Sequence, residues 1–131
     1  MNAFIVEAQN HPGELARVAG AIGDRGVNIT TGAVLATGTS GAFGFLTNDE
    51  AGARNALRDA GIDFREVEVI PVSLPDEPGS LAKAAKRLAD AGVNIEFAIP
   101  SGMSGGKVTV AVGVDRMEAA RTALSEMAMM A

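Results

Sequence analysis

The chain has 131 residues, a net charge of −5, no cysteine, one histidine, and neither tryptophan nor tyrosine. That inventory excludes disulfides and thiolate metal sites and leaves too few ligands or bases for a zinc centre or a catalytic triad, so no metal, cofactor or catalytic residue is expected and the chain is read as a non-enzyme. An acidic chain with five phenylalanines also lacks the basic, aromatic-rich face of a nucleic-acid binder. No signal peptide opens it and no apolar run is long enough for a bilayer, so a cytoplasmic protein with no membrane partner is expected.

"AFIVEA" alternates, with Phe4, Val6 and Ala8 on one face and Ile5, Glu7 and Gln9 on the other, which predicts a half-buried strand. Pro12 and Gly13 then punctuate, with Pro12 placed in a first helical turn. Leu15, Val18, Ala19 and Ile22 follow at helical spacing, and Gly26 stands where a left-handed cap would end that helix. "VNITTGAVLA" and "AFGFLT" read as strands joined by a hairpin loop, "TGTSG". Asp49 is placed to cap a second helix, "EAGARNALRDA", which Gly61 ends. "DFREVEV" closes a βαββαβ unit.

The same order then begins again. "VSLP" is a strand. Leu81, Ala84, Ala85 and Leu88 form a helical apolar face, and Gly92 ends that helix. "VNIEFAI" and "KVTVAVGV" are strands joined by the loop "PSGMSGG", which lacks the Gly-Lys-Ser/Thr of a phosphate loop because Val108 follows Lys107. Asp115 is expected to cap the last helix, "RMEAARTALSEMA", at the position that answers Asp49. The fold class is therefore α+β: two ferredoxin-like units, residues 1–70 and 71–131, each an antiparallel sheet with helices on one face, the second without its C-terminal strand.

The boundary comes from a phase change. Val67 and Val69 lie on one parity, and Ile70, Val72 and Leu74 on the other. Without a fourth strand in the second unit, the strand at Val72–Leu74 is expected to be a free edge, which Pro71 and Pro75 suit because proline donates nothing to a ladder. Met127, Met129 and Met130 are candidates to cover it. A bare edge also invites a second chain, so a homodimer is expected.

The repeat is explicit in "NHPGELARVAGAIGDRGVNI" and "DEPGSLAKAAKRLADAGVNI", identical at half their positions with Pro12 and Pro78 in register. A βαββαβ unit with a Pro-Gly turn after its first strand and Gly-Val-Asn-Ile at its second resembles the ACT domain. The resemblance implies a regulatory module of amino-acid metabolism that binds a free amino acid or related small metabolite at interfaces between units, or, alternatively, a detached regulatory subunit that binds and controls a biosynthetic enzyme. In serine-sensing members of that family, an Asn two residues before the Pro and the Asn of the Val-Asn-Ile strand contact the ligand. Those positions are Asn10, Asn28, Asp76 and Asn94; the His that some members carry two residues ahead of the loop Asn is Ala8 here. The candidate ligand set is Asn10, His11, Gly13, Glu14, Leu15, Asn28 and Ile29 in the first copy, and Asp76, Gly79, Ser80, Leu81, Asn94 and Ile95 in the second. A helix N-terminus offers N–H donors for a carboxylate, and Asn and Asp oxygens accept from an ammonium.

Overall fold

The computed structural model of the chain describes residues 1–125 and Met127. The elements are β1 (Asn2–Gln9), α1 (Glu14–Gly23), β2 (Ile29–Thr37), β3 (Ser40–Thr47), α2 (Glu50–Asp59), β4 (Arg65–Pro75), α3 (Ser80–Asp90), β5 (Ile95–Ser104), β6 (Lys107–Val114) and α4 (Met117–Ala123). The chain forms two compact units that divide next to Glu66, with Met1 in the later one. Strand order is β2-β3-β1-β4 in the first and β4-β6-β5 in the second, with β4 running through the division. The ladders β1–β3, β2–β3, β4–β6 and β5–β6 are all antiparallel.

In the first unit, Phe4, Val6 and Phe45 of the sheet pack against Val18 and Ile22 of α1 and Ala53, Ala56 and Leu57 of α2. Phe4 stacks on Phe45 at 5.7 Å between ring centroids, and Phe45 on Phe43 at 4.6 Å, within the range where aromatic pairs add to simple burial. Ile5, assigned by alternation to the open face, is buried as well. In the second unit, Ile70, Val72, Leu74, Val110 and Val112 pack against Ala84 and Leu88 of α3, Ala120 of α4 and Leu124 just after it. Both cores lie between a sheet and a pair of helices. Val67, Val69, Ile70, Val72 and Leu74 are all buried, so both parities of β4 are buried, and the strand continues through Ile70–Pro71 without a break.

Glycine ends three helices in one way. Gly26, Gly61 and Gly92 have φ near 70°. In each case the glycine N–H donates to the carbonyl three residues back, and the next N–H donates to the carbonyl five back, as in Val27 to Ile22, Ile62 to Leu57 and Val93 to Leu88; this is the Schellman motif. The helix starts are also paired. Gly13 and Gly79 are N-caps with φ of 95° and 87°, so Pro12 and Pro78 stand in the turns before their helices, ahead of the first helical turn expected for Pro12.

Three local expectations are corrected. The hairpin loops are shorter than their composition suggests, because β5 continues through Ser104 and β2 through Thr37, leaving only two-residue turns. Polar and glycine residues are tolerated there because those strand ends are exposed. The last helix is shorter than expected, ending at Ala123. The edge of β4 is not bare: the Ser73 N–H donates to the Met127 carbonyl at 2.9 Å, and the Val69 N–H to the Met1 carbonyl at 2.8 Å. Met127 also packs against the second core. Met129, Met130 and the place where a further strand would start lie outside the described residues.

Candidate functional site

In the first unit β1 ends at Gln9, and the chain turns through Asn10 to Gly13 before α1 begins. The turn is tied to the β2–β3 hairpin by the Asn10 N–H, which donates to the Thr39 carbonyl at 2.8 Å, and by the Asn10 Nδ2, which donates to the Gly38 carbonyl at 3.1 Å. Between this turn, the first half of α1 and the outer part of the hairpin lies a cavity of about 480 Å³, within the usual range for small-molecule sites. Its walls are mainly apolar, from Val6, Leu15, Val18, Val34 and Phe43. Gln9, Asn10, His11 and Glu14, all from the turn and helix start, supply its polar groups.

Two of the small residues that line the cavity are strand partners. Ala8 and Gly41 are Cα partners across β1 and β3, and both border it. The equivalent partners across β4 and β6 are Leu74 and Val108; Leu74 belongs to the second unit's core, and Val108, partly buried, packs against it. The same backbone thus leaves room in the first unit at a place where two branched side chains stand in the second.

The mouth is charged. Glu14 Oε2 accepts from Arg17 Nη2 at 3.0 Å, and Glu14 Oε1 lies 3.3 Å from His11 Nε2. The hydrogen bond from the Arg17 guanidinium holds the Glu14 carboxyl below the usual carboxylate range, against the opposing effect of burial. Glu14 is thus a carboxylate at neutral pH. Beside it, the first-turn N–H groups of Leu15 and Ala16 have no carbonyl partner in the helix and stand at its positive dipole end. A carboxylate acceptor and unpaired N–H donors therefore flank one apolar cavity. A more open depression at Arg58 and residues 61–66 is a weaker candidate, because its Glu66 already takes two hydrogen bonds from Arg54 at 2.8 and 2.6 Å.

A family model described as the ACT domain matches residues 3–61, the whole cavity-bearing part of the first unit. Residues 3–61 thus form an ACT domain. Three solved structures share the fold over nearly the full length. A protein from Bacteroides thetaiotaomicron superposes with a TM-score of 0.80 at 21% identity, covering 98% of this chain and 90% of that one. The regulatory subunit of aspartate kinase from Thermus thermophilus gives 0.64 at 23%, covering 96% and 91%. The regulatory subunit from Thermus flavus gives 0.61 at 22%, covering 95% and 91%. A comparison with curated protein sequences finds no match.

Beside this ACT domain, the candidate residues of the chain separate into groups. Asn10, His11, Gly13, Glu14 and Leu15 line the one cavity together. Asn28 and Ile29 stand away from it, at the start of β2, where the Asn28 N–H donates to Asn48 Oδ1 at 3.0 Å. Asp76, Gly79, Ser80 and Leu81 form the matching turn and helix start of the second unit, with the Asp76 N–H donating to the Gly106 carbonyl at 2.8 Å. Asn94 and Ile95 are exposed at the start of β5. The Asn94 N–H donates to Asp115 Oδ1 at 2.9 Å.

That last bond overturns the capping role expected of Asp115. Asp49 does cap α2, accepting from the Gly52 N–H at 2.9 Å, but α4 has Arg116 at its N-cap and no side-chain cap bond. The cause is a register shift in β5 between Pro100 and Gly102. It inserts one residue, so Asp115 performs the task of Asn48. The sequence-based reading missed Ala8 and Gly41, whose signal was available as Ala8 opposite Leu74 in the aligned repeats.

Proposed function

We propose that the chain is a regulatory module that senses a free amino acid through the cavity of its first unit. One observation carries the reading: an apolar cavity opens beside both a carboxylate, Glu14, and the unpaired N–H groups of a helix start. A zwitterion needs that combination. Its ammonium is received by Glu14 and by the Asn10 Oδ1, and its carboxylate by the α1 first turn, with Gly13 keeping the approach clear. Hydrogen bonds to charged groups contribute about 1.5–3 kcal/mol each, so a few of them reach the micromolar range, a useful one for a metabolite sensor. Nothing in this account involves bond making, and the described residues contain no group of three or more metal-ligating side chains. None of their helices is long and apolar enough to cross a membrane.

A homodimer belongs to the same proposal. Among the described residues β2 pairs only with β3, and its Val34 and Leu35 are more than half exposed. A second chain along that edge would cover them together with Asn28 and Ile29. Asp76, Gly79, Ser80, Leu81, Asn94 and Ile95 are kept as secondary contacts in the second unit. The alternative, a detached subunit that controls a biosynthetic enzyme, draws support from the fold shared with the Thermus regulatory subunits and from the exposed Leu81 and Met103.

Isothermal titration calorimetry against the common L-amino acids tests the sensing reading. Micromolar to low-millimolar binding of at least one is expected, and a flat response to all of them would remove it. Sedimentation with and without that ligand tests the dimer.

A further inference from the structure

We infer that the amino acid taken by the first unit carries a large apolar side chain, aliphatic or aromatic, rather than a small polar or charged one. This rests on the amino-acid reading of the same cavity and names its ligand class. The polar groups of the cavity come from residues 9–14, whereas the rest of the wall is Val6, Ala8, Leu15, Val18, Val34 and Phe43, with other small residues. A zwitterion held at the polar end projects its side chain among these. A lysine or aspartate side chain would lose hydration there and find no partner of opposite charge, a cost that grows steeply with burial. A serine would leave most of about 480 Å³ unfilled. A leucine, methionine or phenylalanine exchanges water for apolar contact over its whole length.

The second unit supports the assignment. Its Leu74, in the core, and Val108, packed against it, occupy the positions of Ala8 and Gly41, so branched hydrocarbon is what this backbone accommodates at that place. The ligand side chain in the first unit takes over the part that protein side chains play in the second. The same comparison supplies a variant that fills the cavity without disturbing the fold. A Cβ on Gly41 would meet only ordinary contacts, at 3.7 and 3.8 Å, and Ala8→Leu with Gly41→Val reproduces a pair already present at Leu74 and Val108.

Calorimetry of the full chain with L-leucine, L-phenylalanine, L-serine and L-lysine tests this. Leucine or phenylalanine should bind at least about tenfold more tightly than serine or lysine, in line with what added hydrocarbon contributes in an apolar pocket. The A8L/G41V variant should lose that binding at least tenfold while keeping the native melting temperature within a few degrees. Tighter binding of serine or lysine would overturn the ligand class and leave the amino-acid reading standing. Undiminished leucine binding by folded A8L/G41V would overturn the cavity as its seat. Isocaproate and isopentylamine, each leucine without one of its charged groups, separate the two readings. If either binds as well as leucine, the apolar class holds and the zwitterion reading fails. If none of these compounds binds, both fail.

Discussion

The two units of this chain share strand order, helix-ending glycines and turn geometry, and they differ in what occupies one place in the core. In the first, Ala8 faces Gly41 and a cavity opens; in the second, Leu74 faces Val108 and both pack inward. Their helix starts differ as well. Glu14, held by Arg17 and near His11, is answered by Ser80, and Asn10 by Asp76. The two copies keep one scaffold and differ in how it is filled. The second closes this space with core side chains, and the first leaves it open, where the proposed ligand would sit. The difference is confined to a few side chains on an unchanged backbone, and each can be moved from one unit to the other.

The largest effect is expected where that core is reopened. Leu74→Ala removes most of a buried side chain and should destabilise the second unit by about 2–5 kcal/mol, measured by urea denaturation. Ala8→Leu, the reciprocal change, adds hydrocarbon to existing space and should leave stability unchanged or raised. An equal loss in both variants would show that the two positions are not equivalent.

The next contrast concerns acid. Glu66 accepts two hydrogen bonds from Arg54 and one from the Asn2 amide at 3.1 Å. The Arg54 hydrogen bond is the main cause that lowers its carboxyl below the ordinary range, with burial opposing and Asn2 assisting. A carboxyl lowered on folding binds its proton more weakly in the folded state. Its contribution is therefore complete above the unfolded value of about 4.3 and is lost as pH falls through the lower folded value. Denaturation midpoints of the native chain should fall over that acid window, and Glu66→Gln should flatten that part of the profile. An unchanged profile would show that the pair contributes nothing to folding.

The smallest contrast is between two helix starts. Asp49→Ala removes the cap of α2 and should cost about 1 kcal/mol, whereas Arg116→Ala at the N-cap of α4 removes no cap bond and should cost less. Equal losses in chemical denaturation would show that the bond from Gly52 to Asp49 adds nothing.

Much of this was readable from the chain because it is local. Helical spacing, glycines at helix ends and the parity change at Val69–Ile70 each depend on neighbours within a few residues. The turn residues Asn10 to Leu15 were legible for the same reason, since the repeat marks them twice. The rest depends on pairing between distant strands. Ala8 gains meaning only when Gly41 is known to lie opposite it. Asp115 was misassigned because one extra residue at the bulge in β5 displaces every later correspondence, and nothing in the local sequence marks it. The strand ends Pro100–Ser104 have the composition of a loop yet extend as strand, because antiparallel pairing with β6 outweighs weak local preference.

Repeated β-units carry a hazard of polymer growth, since a strand edge that accepts one copy accepts the next. Along β4 the backbone amides that face away from β6 belong to alternate residues, Val69, Pro71, Ser73 and Pro75. Two of these are prolines and have no hydrogen to give, and the other two are spent on the Met1 and Met127 carbonyls. An incoming strand would find no donor on this flank, whatever its sequence. The flank acts as a chain terminator, and lateral growth is directed to the outer strand of each unit, β2 in the first and β5 in the second.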